Sequence, residues 1–275
     1  MGIINATPDS FFEDSRKATI SESIDKAAQM INEGASIIDI GGQSTKPGSD
    51  SIAATEEMER ILPVISAIAK KFPEIIISVD TYYSTVAKAA VENGASIVND
   101  ISGGQFDSLM IETVAKLNVP YICMHIKGVP KTMQNNPQYE NITKEVLDYF
   151  IEKLNACRLA GIKDVIIDLG FGFGKTIEQN YQLLKSLSVF KMLDCPLLVG
   201  ISRKGMIYKP LNIGAEFALN GTTVVNTIAI QNGANILRVH DVKEAIEAVK
   251  LLNLYQNIDA SEGNSTRLSV YENKS

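Results

Sequence analysis

Gly34-Ala35-Ser36-Ile37-Ile38-Asp39 is the stretch that decides the fold, because it returns as Gly94-Ala95-Ser96-Ile97-Val98-Asn99 and again as Gly233-Ala234-Asn235-Ile236-Leu237-Arg238. A looser copy reads Gly161-Ile162-Lys163-Asp164-Val165-Ile166-Ile167-Asp168. Each copy follows a stretch of helical periodicity. The glycine therefore fits the left-handed position just beyond a helix, and the β-branched run after it fits a strand. Repetition at this scale marks one structural unit used several times. The unit is helix, glycine, strand, polar end.

Between the copies lie further short β runs, Ile75–Asp80, Tyr121–His125 and Leu197–Ser202, and Gly2–Asn5 stands at the front, which brings the count to eight. Helices are expected over Ser21–Glu33, Ala54–Lys71, Ser84–Asn93, Ser108–Asn118, Thr143–Ala160, Ile177–Leu187, Ala215–Asn232 and Val242–Asn253. Strict βα alternation implies a parallel sheet with right-handed crossovers. Eight such units in 275 residues imply an α/β protein built as a closed (β/α)₈ TIM barrel. An open doubly wound sheet is the alternative, but it would carry a glycine-rich fingerprint in its first βα turn. That turn reads Asn5-Ala6-Thr7-Pro8-Asp9-Ser10-Phe11. No Pro-, Gly- or Ser-rich linker divides the core, so residues 1–254 read as one barrel domain. Residues 255–275, polar and aperiodic, read as a weakly ordered tail.

Composition excludes several functions. Lys plus Arg number 26 against 32 Asp plus Glu, a net charge of −6, which offers no general attraction for nucleic acid or an anionic membrane. Any anion site must be local. No apolar run reaches the ~18 residues of a membrane span, and no basic segment precedes an apolar one at the start, so a soluble, cytoplasmic chain is expected. Cys123, Cys157 and Cys195 are odd in number and far apart, as reduced core residues would be. With only His125 and His240 present, an HExxH site or histidine-rich metal cluster is excluded by count.

The active site of such a barrel lies at the carboxyl ends of its strands. Those ends carry Asn5, Asp39, Asp80, Asn99 with Asp100, His125, Asp168, Ser202-Arg203-Lys204, and Arg238 with His240. Asp39 and Asp100 read as orienters of loops, and His125 as a strand cap. Asp80, Asn99 and Asp168 suit a flat heterocycle with several N–H groups. Lys204, Arg238 and His240 form a cationic corner at the customary phosphate position. The pattern points to a flat, anionic substrate. Strand six runs into Asp168-Leu169-Gly170-Phe171-Gly172-Phe173-Gly174-Lys175, whose glycines let backbone approach a ligand while the phenylalanines can wall it. Gly174-Lys175-Thr176 is not the end of a Walker loop, since the first glycine would fall on Leu169. A Schiff-base role for Lys204 ranks second. The loops Thr7–Ser15 and Gly41–Ser49 fit mobile lids or ordinary turns.

These residues resemble the dihydropteroate synthase family, the pterin-binding barrels of folate synthesis, from Gly2 to about Leu252. The motifs carrying the resemblance are Met1-Gly-Ile-Ile-Asn-Ala-Thr-Pro-Asp-Ser-Phe11, Gly41-Gly-Gln-Ser-Thr-Lys-Pro-Gly48, Ser78-Val-Asp-Thr81, Asn99-Asp100-Ile101, Asp168 with Gly170–Lys175, Ser202-Arg-Lys204 and Arg238-Val-His-Asp241. The resemblance implies condensation of 6-hydroxymethyl-7,8-dihydropterin diphosphate with p-aminobenzoate, with release of pyrophosphate. It implies pterin contacts from Asp80, Asn99, Asp168 and Lys204, and a pyrophosphate site at Asn5, Arg238 and His240 with Mg²⁺ on Asn5. It places p-aminobenzoate and the lids at Phe11, Glu13, Thr45, Lys46, Pro47, Phe173 and Ser202. Asp80, Asp168, Lys204, Arg238 and His240 are the implied catalytic set. It further implies sulfonamides as competitive inhibitors and a homodimer. A methyltetrahydrofolate-dependent methyltransferase, or a barrel that binds pterin without turnover, is the competing expectation. The chain departs from the family pattern at Lys46, where arginine is common, at Leu169 for proline, at Glu13-Asp14-Ser15 for an Asp-Gly-Gly-like run, and at Gly205 for serine.

Overall fold

The computed structural model describes residues 1–6, 13–43 and 50–257, the side chains of residues 13–19 excepted. Eight strands, β1 (Gly2–Asn5), β2 (Ile37–Gly41), β3 (Ile76–Asp80), β4 (Ile97–Asp100), β5 (Tyr121–Met124), β6 (Val165–Asp168), β7 (Leu197–Val199) and β8 (Ile236–Leu237), pair in parallel in sequence order. The barrel closes through a parallel bridge between Gly2 and Val239. There the amide of Ile3 donates to Val239 O at 3.0 Å, and that of Val239 to Met1 O at 2.9 Å.

The helices are α1 (Glu13–Asn32), α2 (Ala54–Lys71), α3 (Ser84–Glu92), α4 (Met110–Leu117), α5 (Ile142–Ala160), α6 (Ile177–Lys185), α7 (Gly205–Tyr208), α8 (Leu219–Gln231) and α9 (Val242–Asn257). The repeat glycines behave as their position requires. Gly34, Gly94, Gly161 and Gly233 all have φ between 93° and 113°, where a side chain is strained, and each turns the chain from a helix toward the next strand.

The boundaries differ from the periodicity reading at several places. Helix α1 starts at Glu13 rather than at Ser21, so Ser21 lies inside the helix. The expected helix over Ala215–Asn232 is a 3₁₀ turn, Ala215–Phe217, followed by α8, with the single turn α7 inserted ahead of it. Helix α9 continues through Asn257, and the rest of the expected tail lies outside the described residues.

Two apolar layers follow from the period-two alternation of the strands. Ile38, Ile40, Ile77, Val79, Val98, Cys123, Ile167 and Leu237 join the large core under the helices. Ile97, Ile122 and Leu198 pack with Met1, Ile37, Ile166 and Ile236 in a separate cluster, the plug of the barrel interior. Two residues further along the inward face come Asp39 on β2, Asn99 on β4, Asp168 on β6 and Arg238 after β8. The alternation thus lays a polar layer directly on an apolar floor.

Phe150 of α5 is fully buried, with its ring 6.4 Å from Phe190 and perpendicular to it. Phe150→Ala is expected to destabilise the chain by about 3–5 kcal/mol, measured as a lowered urea midpoint with an unchanged slope. A loss below ~1 kcal/mol would contradict the packing described.

Candidate active site

The polar layer is organised by Arg238. Its Nε donates to Asp39 Oδ2 and its Nη2 to Asp80 Oδ2, each at 2.6 Å, so one planar cation bridges acids from strands β2 and β3. Asn99 Nδ2 donates to the same Asp39 oxygen at 3.1 Å. That bond turns the Asn99 carbonyl away from Asp39 as an acceptor. Burial works against the Arg238 charge, but Asp39, Asp80 and Asp168 outweigh it and raise its pKa. Burial also raises Asp80, opposed by Arg238 and reinforced by Asp39, Asp100 and Asp168, to about 7. Asp168 is raised by burial and opposed chiefly by Lys204. Its Oδ1 accepts from the amide of Gly170 at 2.8 Å, which aims the other oxygen.

This arrangement corrects two readings. Asp39 orients no loop; it is fully buried inside the barrel and holds Arg238 and Asn99. Its signal in the sequence was an acid in the middle of an apolar strand run. Arg238 is not a free member of a cationic corner, since two of its three nitrogens are committed to carboxylates. Asp100 does act as a loop orienter. Its carboxylate accepts from the amides of Ser102 and Gly104 and from the Tyr121 hydroxyl, all at 2.7 Å.

The loop after β6 forms one wall. Gly170, Gly172 and Gly174 all have φ between 63° and 82°. A Cβ on Gly170 would lie 1.8 Å from the carbonyl oxygen of His125, so no side chain can be accommodated there. Phe171 turns into the main core and is fully buried, so it is not a pocket wall. Phe173 packs with Tyr82, Ile101, Met124, Ile126 and Met133, and Lys204 Nζ sits 4.6 Å from its ring centroid. Lys204 also donates to Phe171 O at 2.6 Å. Desolvation lowers its pKa to about 8, with Asp168 opposing, so the ammonium form still dominates at neutral pH. Leu169 is fully buried in the core, and this packing anchors the backbone beside Asp168.

On the rim, the Ser202 hydroxyl lies 3.1 Å from His240 Nδ1, and the His240 amide donates to it at 3.3 Å. Desolvation, then Arg238 and Lys26, lower the histidine to about 4 and leave it neutral at pH 7. Asn5 ends β1 exposed. His125 does not line the pocket; it is buried behind the β6 loop beside Lys175. Phe11, Thr45, Lys46 and Pro47 lie outside the described residues, and Glu13 begins α1 with its side chain likewise outside them.

A buried network that sequence reasoning missed sits where β2 leaves the barrel. Glu57 of α2 accepts from Gln43 Nε2 at 3.2 Å and from the Thr81 hydroxyl at 3.3 Å, and Gln43 Oε1 accepts from the Tyr82 hydroxyl at 2.5 Å. The other Glu57 oxygen is buried without a partner among the described residues. An acid in the first turn of a helix reads as dipole compensation, which hid it.

A family model described as pterin-binding enzyme matches residues 1–240. A dihydropteroate synthase of Escherichia coli K12 is 44% identical over 254 residues, covering 92% of this chain and 89% of the relative. One of Haemophilus influenzae is 41% identical, covering 91% of each. Among solved structures, the Yersinia pestis dihydropteroate synthase with a sulfonamide drug complex superposes with a TM-score of 0.88 at 38% identity, covering 94% of each chain. The Xanthomonas albilineans enzyme in complex with 7,8-dihydropteroate gives 0.83 at 33%, covering 94% and 93%.

Burial, then the nearby Asp80, raises Glu57 from 4.5 to about 8. Because the folded value lies above the unfolded one, its stabilising contribution is complete below 4.5 and is lost as pH rises through about 8. Glu57→Gln removes this dependence. The urea midpoint of the variant relative to the wild type should climb between about pH 5 and pH 8.5. A flat difference would show that Glu57 is ionised throughout.

Proposed function

The chain belongs to the pterin-binding enzyme family, among the dihydropteroate synthases, and on that premise we propose how its residues carry out the reaction. The chain is a transferase that joins a pterin methylene group to p-aminobenzoate to make 7,8-dihydropteroate. Its substrate is 6-hydroxymethyl-7,8-dihydropterin diphosphate, and pyrophosphate leaves. The observation that carries the residue assignments is the acceptor layer of Asp80, Asn99 and Asp168 above an apolar plug, with Lys204 and Arg238 at its edge.

In this reading the pterin lies flat in the barrel mouth. Its N–H groups meet the carboxylates of Asp80 and Asp168 and the carbonyl that Asn99 presents. Lys204 donates to the ring from the side. Departure of pyrophosphate leaves a cation delocalised over the pterin, and the two aspartates stabilise that charge in a site of low dielectric. The third nitrogen of Arg238, the neutral His240 ring and the Asn5 amide face the leaving group. The arylamine then attacks as a neutral nucleophile and needs positioning rather than a strong base. Phe173 and Ser202 are assigned to that side of the site, together with Lys204. Phe11, Glu13, Thr45, Lys46 and Pro47 complete the proposed aminobenzoate and lid set.

Mg²⁺ belongs to the proposal. Among the described residues no three His, Cys, Asp or Glu side chains converge as metal ligands, and Asn5 ends β1 exposed at the barrel mouth. One protein oxygen suits a hard cation held mainly by phosphate and water. Asn5 would hold it, and the ion would supply charge stabilisation for the leaving pyrophosphate. Sulfonamides, which present an arylamine of similar shape, would compete with p-aminobenzoate.

A cytoplasmic homodimer completes the reading. Among the described residues no helix is long and apolar enough to cross a membrane. Val224 and Ile228 of α8 and Phe217 before it are exposed apolar residues, a pattern that supports pairing.

Pyrophosphate release measured with pterin diphosphate, p-aminobenzoate and Mg²⁺ tests the assignment. Release dependent on all three is expected, and absence of release with all three would leave only pterin binding. Asp168→Asn should cut kcat by about 10²–10³-fold, and near-normal turnover would remove Asp168 from the stabilisation of the cation.

A further inference from the structure

Lys175 has no task in the reaction above, yet it is 2% exposed and carries its ammonium into the protein behind the β6 loop. Burying an unpaired ammonium is costly. Among the described residues no carboxylate pairs with it. Its contacts are instead Gly170 O at 2.9 Å, Phe173 O at 3.1 Å, His125 O at 3.4 Å and His125 Nδ1 at 2.9 Å. Burial lowers the Lys175 pKa well below its usual value, with Asp168 opposing, and in either protonation state Nζ keeps hydrogens to donate to these carbonyl oxygens, while its contact with Nδ1 pairs one donor with one acceptor. Burial, then the neighbouring Lys175 and Lys127, depress the His125 pKa well below its usual value, so the ring is neutral.

The five carbonyls of the loop are all spoken for. Those of Gly170 and Phe173 point back to Lys175, that of Phe171 receives Lys204, that of Gly172 receives Gln134 Nε2, and that of Gly174 receives the Tyr139 hydroxyl. With three glycines the loop has wide conformational freedom of its own. The amide of Phe173 donates to Gly170 O at 3.0 Å and closes a turn, and Lys175 Nζ donates to the carbonyls at both ends of that turn, which fastens it to His125. On the pocket side this leaves the Phe171 carbonyl and the Phe173 ring both facing Lys204.

We propose that Lys175, seated on His125, is a positioning residue for the aminobenzoate side of the site, acting through the Gly170–Gly174 loop on Phe173. The inference rests on the assignment of Phe173 to that side. Nζ collects the loop's carbonyls through its donated hydrogens. It touches no substrate and moves no proton in the reaction.

Steady-state pyrophosphate release by the full chain tests it, with KM for p-aminobenzoate and for pterin diphosphate each measured at saturation of the other. Lys175→Met should raise the p-aminobenzoate KM about tenfold or more, with the pterin diphosphate KM within about threefold of wild type. His125→Asn places an amide oxygen near the position of Nδ1 and should stay close to wild type, whereas His125→Leu should follow Lys175→Met. An unchanged p-aminobenzoate KM, equal rises in both KM values, or identical behaviour of the two His125 variants overturns the proposal. Should Lys175→Met not fold, the His125 pair decides alone. A wild-type chain that neither binds nor turns over p-aminobenzoate sinks the reaction assignment and this inference together. Wild-type turnover with an indifferent Lys175→Met sinks the inference only.

Discussion

The guanidinium of Arg238, held between Asp39 and Asp80 at 2.6 Å from each, is the interaction on which the interior of the barrel depends. Acids stacked above an apolar plug are stable only if their charge is compensated at close range, because water reaches them poorly. One bridging arginine links β2, β3 and β8, and so draws opposite sides of the barrel mouth together. Lys204 supplies the second positive charge against Asp168. Three interior carboxylates against two cations leave the layer short of positive charge. A pterin carrying donors and then a developing cation meets that shortage, so the same imbalance that burdens the free protein favours the transition state proposed for it.

A different constraint governs the loop after β6. Gly170 and Gly174 are there because the His125 and Lys127 carbonyls approach where a Cβ would be, at 1.8 Å and 2.2 Å. Such close approach seats the loop on the end of β5, but apart from the turn in which Phe173 N donates to Gly170 O it leaves the loop's carbonyls to be met by side chains. Two of these are lysines on opposite faces of the loop. Lys204 faces the pocket and Lys175 lies behind it. The two lysines have unlike surroundings, and their lowered pKa values share one physical origin, loss of water.

Eight strands were legible because glycine, β-branched residues and a polar terminus recur in the same order, and each part of that signal is local. The strand-end rule located Asp80, Asn99, Asp168 and Arg238, which the fold brings into one layer. It misjudged Asp39 by taking it for the end of a strand that in fact runs on to Gly41, and so gave to a loop a side chain that is buried inside the barrel. It also left Arg238 free, because ion pairing between β8, β2 and β3 joins residues distant in the chain. Glu57 was hidden by a plausible local role at a helix start. The phenylalanines of the β6 loop looked equivalent, yet one faces the core and the other the second apolar cluster beside Lys204.

By itself the amino-acid sequence determined the barrel, its chain direction, the end that bears the chemistry, and, through its motifs, the pterin-binding family. These depend on periodicity and on residue types at strand ends, and both are properties of neighbours in the chain. Only the tertiary structure decided which acids are compensated, which way Asn99 turns its carbonyl, and why Lys175 is buried. Those outcomes depend on charge at a few ångströms between segments far apart in sequence, where desolvation magnifies each interaction and no local pattern records it.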